Sequence, residues 1–414
     1  MKNPKRITPT RDSLVGPRPK TRARSKVGLS VADFELLIKT SEVEALAQEL
    51  LQEETIAVDT EADSFYHYFD KTCLIQIGTP KQIYLIDPLT EAGHEILTPL
   101  GPVFESPEVQ KIFHAGEYDL FVLKRDCRFN FDNLFDTMIS AQLLGYNAVG
   151  LAALAEKHFG LKLPKDEQRS DWSVRPLRKN QLTYAAADVA YLIPLAERLK
   201  KELGTSKRLE WAKEEFLALT RREWPERTFD RLGYLKIKGA RKLDISSLAV
   251  LRELYLIRDK RARDIDRPAF KVLGNGALLE IAQVRPTTLS LLGNIKGVTE
   301  LILRRLGPEI LKAIDRGKKR GHGPIPKLES ATPRRRMDRK GERRVARLKK
   351  WRTARAKELN LDLGVLCPNS GLEAIAAANP RETTDLLELS ELKSWFRNEF
   401  GQEVVIILQE EETS

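Results

Sequence analysis

Strand signals stop before the chain's midpoint: apolar runs of β type occur only ahead of Lys207. Everything beyond reads as helix or linker, so an α/β unit must precede purely helical ones. Buried strands are expected at 55–59, 72–77, 83–86 and 111–114. Short connections among the first three permit antiparallel neighbours, and Asp87-Pro88 ends the third. Apolar residues at three and four spacing then predict helices at 118–124, 137–144, 151–159 and 180–203. The fold class is a mixed sheet with flanking helices, followed by all-α domains.

The helical half repeats itself. Adding 94 to a position in the first module gives its counterpart in the second, without a gap. Arg258 falls on Arg352, Arg261-Ala262 on Arg355-Ala356, Asn275 on Asn369, Ile281-Ala282 on Ile375-Ala376 and Pro286 on Pro380. A duplicated small helical domain accounts for the shared register. A charged helical connector (208–224) precedes the pair, and a Gly/Pro linker with Arg334-Arg335-Arg336 separates them.

At 414 residues the chain is too long for one core. Its formal charge of +11 is uneven, with basic residues crowding 1–27 and 318–355 and an acidic lean at 386–414. Such an excess favours polyanionic partners, although charge alone does not separate RNA, DNA and anionic membranes. No apolar stretch reaches the roughly 18–20 residues of a spanning helix, so no membrane partner is expected. Cys73, Cys127 and Cys367 are far apart, which argues against a disulfide framework or a cysteine zinc site. A cytoplasmic location is expected, with 1–28 a disordered basic tail and not a secretory signal.

Carboxylates carry the chemistry. Asp59 and Glu61 are two apart on a strand and share a face, while Tyr184 and Asp188 share a helix face. Asp119 opens a helix after the segment His114-Ala115-Gly116-Glu117-Tyr118. Each piece alone also describes ordinary structure: a strand end entering solvent, a core tyrosine, an acid favouring a helix dipole. Together they supply converging carboxylates, whose repulsion a divalent cation would relieve. Hard oxygen ligands point to Mg²⁺ or Mn²⁺, and two such ions about 3.5–4 Å apart would serve phosphodiester hydrolysis. Asp59, Glu61 and Asp188 are assigned to the first ion, Asp59 bridging to a second held by Asp119. Tyr184 would orient the attacking water, being a poor base at neutral pH.

Those residues, with Cys73-Leu74-Ile75-Gln76-Ile77, Gln168-Arg169-Ser170-Asp171-Trp172-Ser173, Arg175-Pro176-Leu177 and Gln181-Leu182, resemble the ribonuclease D group. That group belongs to the DEDD 3′-to-5′ exonucleases, here in the subclass with a tyrosine in the third motif. The resemblance implies an RNase-H-like exonuclease core over 29–215 and HRDC domains for the duplicates. The organisation then reads as tail 1–28, exonuclease 29–215, connector 216–240, HRDC domain 241–317, basic linker 318–341 and HRDC-like domain 342–414. Ala62 stands where many relatives carry a large apolar residue, so Phe65 and Tyr66 are assigned the packing against a terminal nucleotide. Trp172 and Arg175 are further candidates, for base stacking and phosphate contact, with a packed loop as the equal alternative. His114 is a candidate phosphate contact outside the catalytic set, and a satisfied core histidine explains it equally well. Asp136 is accounted for as a helix cap.

The function expected is trimming of RNA 3′ ends, such as those of tRNA precursors, with release of nucleoside 5′-monophosphates. DNA trimming stays open because no motif reads the 2′-hydroxyl, and an RNA-binding scaffold is the non-catalytic alternative. The chain has no G-x-x-x-x-G-K-[ST] phosphate loop, which removes ATP-driven unwinding.

Overall fold

The computed structural model describes residues 33–90, 93–164, 166–225, 228–321, 323 and 337–409. The expected tail at 1–28 and the run Arg334-Arg335-Arg336 lie outside the described residues. Six strands form one mixed sheet: β1 Phe34–Leu37, β2 Thr55–Ala62, β3 Thr72–Gly78, β4 Ile83–Ile86, β5 Gln110–Phe113 and β6 Leu134–Asp136. Their order is β1-β4-β3-β2-β5-β6. The short connections do yield antiparallel neighbours, β2 with β3 and β3 with β4, while β1, β5 and β6 join in parallel. Sequence reading missed β1 and β6: Phe34-Glu35-Leu36-Leu37 in β1 lacks the β-branched residues that mark the equally short β4, and β6 has only three residues.

Helices α1 Thr40–Leu50, α2 Gly101–Glu105, α3 Glu117–Cys127, α4 Thr137–Leu143 and α5 Leu151–Phe159 surround the sheet. They are followed by α6 Lys179–Ala190, α7 Leu192–Thr205 and α8 Leu209–Thr220. The single helix expected at 180–203 is thus two, broken at Tyr191 with φ −117° and ψ 0°. Pro194 explains the break: it has no N–H to offer the carbonyl four residues back, and a proline is tolerated only in a first turn.

The first helical module holds α9 Ile245–Asp264, α10 Ala269–Val272, α11 Asn275–Val284, α12 Leu289–Gly293 and α13 Glu300–Arg320. The second holds α14 Arg339–Leu359, α15 Leu363–Leu366, α16 Asn369–Ala378, a 3-10 turn at Thr383–Glu388 and α17 Ser394–Gln409. The 94-residue register survives in atomic detail. Arg258 donates to the Leu273 carbonyl and Asn275, and Arg352 donates to the Cys367 carbonyl and Asn369. Left-handed backbone recurs at Asp266 and Asn360 (φ 44° and 53°) and at Arg285 and Asn379 (φ 52° and 49°).

Two boundaries move. Tyr234, Leu235, Ile237 and Ala240, expected in a connector, are buried in the first module's own core. Lys318, Lys319 and Arg320, expected in the linker, form the last turn of α13, where cations suit the helix dipole. The second module does not close a core of its own: its apolar residues continue the core of the sheet domain. Trp211 of α8 stacks on Trp395 of α17 with ring centroids 4.5 Å apart, and Glu214 accepts from the Ser394 and Trp395 amides. Among the described residues, no helix is long and apolar enough to cross a membrane.

Candidate active site

Strand β2 carries Asp59 and Glu61 on one face, and α6 crosses that face with Tyr184 and Asp188. Carboxylate oxygens of Asp59, Glu61 and Asp188 all lie within 4.8 Å of one another. Asp119, at the start of α3, is not in this trio. It is tethered by Thr60, whose hydroxyl donates to Asp119 at 2.5 Å. Thr60 alternates to the side of β2 opposite its acidic neighbours, a placement sequence reading did not use.

The turn ahead of α3 is specialised. Ala115 adopts φ 59°, and a Cβ on Gly116 would come 2.7 Å from that of Phe113. Asp136 caps α4 by accepting from the Met138 and Ile139 amides, and its other oxygen accepts from the Gly116 amide. The cap therefore also fixes the turn that aims Asp119.

The trio opens into a cavity of about 510 Å³, lined also by His114, Ala115, Leu151, Leu163, Gln168 and Tyr184. Among the described residues, no lysine or arginine lines it. Desolvation and mutual repulsion therefore fall on the acids. Burial, then the charges of Asp119, Asp188 and Glu61, push Asp59 well above its ordinary range, and Glu61 follows for like reasons. Asp188 is raised to about 7 and Asp119 to about 6, chiefly by burial. Tyr184 is also raised, by burial and the adjacent carboxylates, so its hydroxyl keeps its proton.

The expected nucleic-acid contacts fare unevenly. Trp172 is 1% exposed and packs beside Tyr184 at 6.1 Å between centroids, so it offers no face to a base. Arg175 forms a two-pronged pair with Asp87 and donates to the Trp172 and Cys73 carbonyls. Its guanidinium is committed to the fold, and the packed-loop alternative holds for both residues. His114 contacts Thr137 through Nδ1 at 2.9 Å, and burial lowers it to about 4. Phe65 is half exposed, while the Tyr66 hydroxyl donates to the Arg169 carbonyl at 2.8 Å.

Comparison with known proteins places this geometry. A family model described as 3′-5′ exonuclease matches residues 35–204, and the HRDC domain model matches 247–314 and 341–408. The two HRDC matches are offset by the same 94 residues. A curated ribonuclease D of Jannaschia is 32% identical over 309 residues, covering 71% of this chain and 77% of the relative. The chain belongs to the ribonuclease D family. A second curated ribonuclease D, from Gluconacetobacter diazotrophicus, is 28% identical over 92% of the chain and 94% of its own length. Among solved structures, the catalytic core of RRP6 from Trypanosoma brucei matches with TM-score 0.64 and 29% identity, covering 71% of this chain and 82% of that one. Escherichia coli RNase D shares the fold at TM-score 0.63 and 24% identity, over 91% of this chain and 99% of that one. Membership in the ribonuclease D family makes the protein a hydrolase, a 3′-to-5′ exoribonuclease, whose fold implies divalent metal ions.

Proposed function

We propose that the acidic cavity is the hydrolytic centre, with Asp59, Glu61 and Asp188 holding one divalent ion and Asp59 and Asp119 a second. The observation carrying this is the trio of carboxylates within 4.8 Å of one another, in a cavity where no described lysine or arginine offsets their charge. Hard oxygen donors of that kind fit Mg²⁺ or Mn²⁺. Bound there, the ions would polarise the scissile phosphate and supply hydroxide at neutral pH. Tyr184, still protonated and facing the same cavity as Asp188, would orient the attacking water and not act as a base.

His114 is assigned a different contact from the phosphate first expected. The Thr137 hydroxyl donates to the Phe113 carbonyl, so His114 Nδ1 must donate to Thr137 and Nε2 is left an acceptor. A neutral ring with a bare acceptor suits a sugar hydroxyl, which also donates, and not a phosphate oxygen. Phe65 and Tyr66 remain the candidates for packing on the terminal nucleotide.

The substrate proposed is the 3′ end of structured RNA, such as a tRNA precursor, shortened with release of nucleoside 5′-monophosphates. A cavity of about 510 Å³ falls within the roughly 300–1,000 Å³ of single small-ligand sites, enough for one terminal nucleotide and not a duplex. The test compares 5′-labelled RNA and matched DNA, each with free or blocked 3′ ends. Stepwise shortening of RNA alone, needing a free 3′ end and abolished by EDTA or Asp59→Ala, is expected. Equal shortening of DNA would transfer the proposal to DNA 3′ ends, and activity in Asp59→Ala would remove the site assignment.

A further inference from the structure

We propose that Asp266, although it lies in the first helical module, is a positioning residue for the nuclease site. It would act through the two loops that flank the cavity, and the inference rests on reading that cavity as the hydrolytic centre. The first loop, 63–71, leaves β2 directly after Asp59 and Glu61; the second, 166–178, leads into α6 with Tyr184 and Asp188.

Asp266 grips the first loop with both oxygens. One accepts from the Tyr68 and Phe69 amides at 2.9 and 3.1 Å, and the other meets His67 Nδ1 at 2.7 Å. His67 passes the contact on. Its Nε2 lies 3.0 Å from the Ser173 hydroxyl, which donates to Asp171 at 2.5 Å. The Asp171 carbonyl accepts from Gln181, in the first turn of α6. A second route runs through Tyr66. Lys271 sits 3.8 Å over its ring, Arg267 reaches its carbonyl, and its hydroxyl holds the Arg169 carbonyl beside the cavity-lining Gln168. Each route ends on a wall of the cavity or on the helix that carries its tyrosine.

Docking alone does not require this. The second module grips the sheet domain from the same corner, with Asn360 Nδ2 donating to the Gly145 carbonyl at 2.8 Å. Gly145 is there because it sits at φ 78° and any Cβ would strike the Asn360 carbonyl. One amide suffices for that contact. At the equivalent position in the first module three donors converge, and only a carboxylate presents two acceptor oxygens to them.

The experiment uses full-length Asp266→Ala, Asp266→Asn and Tyr66→Phe, with Asp188→Asn as the site control, on a short unstructured RNA. Asparagine tolerates the left-handed backbone and keeps one acceptor, so it is the conservative rescue. Asp266→Ala should lower kcat about tenfold with KM within about twofold, since misplaced catalytic groups cost rate and not affinity. Asp266→Asn, which keeps the acceptor for the two amides and loses the one facing His67, should recover part of that loss and stay about threefold below wild type, and Tyr66→Phe should show a smaller fall of the same kind. A role confined to docking would raise KM for structured RNA and leave kcat on the short substrate alone. Wild-type kcat in Asp266→Ala and Tyr66→Phe, with Asp188→Asn inactive, overturns the proposal. Should Asp266→Ala fail to fold, the Asp266→Asn and Tyr66→Phe values decide by the same criterion. Activity in Asp188→Asn would instead overturn the underlying reading of the cavity.

Discussion

Thr60 donates its hydroxyl proton to Asp119 across 2.5 Å, tying the acid that stands outside the trio to the strand that carries two of its members. The bond favours the charged carboxylate and so works against the burial that lifts Asp119 to about 6. Thr60→Val keeps the shape of the side chain and removes the donor. A hydrogen bond to a charged group contributes about 1.5–3 kcal/mol, or roughly one to two pH units, so activity at pH 7 should fall about two- to fifteenfold. Because the loss comes from protonation, it should shrink as pH rises toward 9. A deficit that stays constant from pH 6 to 9 would show that Thr60 acts only by geometry.

The same acids set a pH dependence for metal-induced stabilisation. Their folded values lie above the ordinary 3.8 and 4.5, so the metal-free native state binds protons more tightly than the unfolded chain. The stability that Asp119 and Asp188 contribute in this way is therefore complete below about pH 4 and is lost as pH rises through about 6 to 7. A divalent ion replaces those protons, with affinity rising up to about tenfold per pH unit for each proton displaced. Thermal melts with and without Mn²⁺ should show a small increment at pH 5 and a larger one at pH 8. An increment independent of pH would mean that the ion binds elsewhere.

How far this site could be read from sequence follows from the range of each signal. Asp59 with Glu61, and Tyr184 with Asp188, are local patterns of period two and four, so their shared faces were legible in advance. Thr60 was hidden by the same alternation: it points away from its neighbours, and its partner is 59 residues on. Trp172 and Arg175 stayed an even choice between nucleotide contact and packed loop because their environment is set at a distance, Arg175 being held by Asp87 at the end of β4. A loop aromatic beside an arginine looks identical whether it faces a nucleotide or the core. The duplication was legible because its register is unbroken, but the merging of one copy into the sheet domain was not. That depends on a tryptophan, Trp395, where the first copy has Leu301.

This contrast makes a matched pair of substitutions. Trp395 is 5% exposed, stacks on Trp211 and donates to Glu215, whereas Leu301 is 48% exposed. Trp395→Ala should destabilise the sheet domain by about 3–5 kcal/mol, the range for emptying a large aromatic site. Leu301→Ala should stay within about 0.5 kcal/mol. Denaturant unfolding followed by tryptophan fluorescence and by nuclease activity should report the Trp395→Ala loss at one shared midpoint. Separate midpoints would mean that the second module unfolds on its own and lends the nuclease no stability.

The duplicates also diverge in charge, which bears on where RNA is held. Helix α14 has ten basic and two acidic residues, and Arg343, Lys350 and Lys357 recur at seven-residue spacing along one exposed side. Their counterparts in α9 include Ala249, fully buried, and Leu256, half-buried. Among the described residues no ion pair neutralises those three cations, so an RNA backbone is a fitting counter-charge. Replacing all three by glutamine should weaken binding of structured RNA and lower the slope of log affinity against log salt by roughly 2, at about 0.7 per phosphate contact on a single strand. Turnover of a trinucleotide too short to reach α14 should be unchanged. An unaltered salt slope would place the RNA track on another face of the protein.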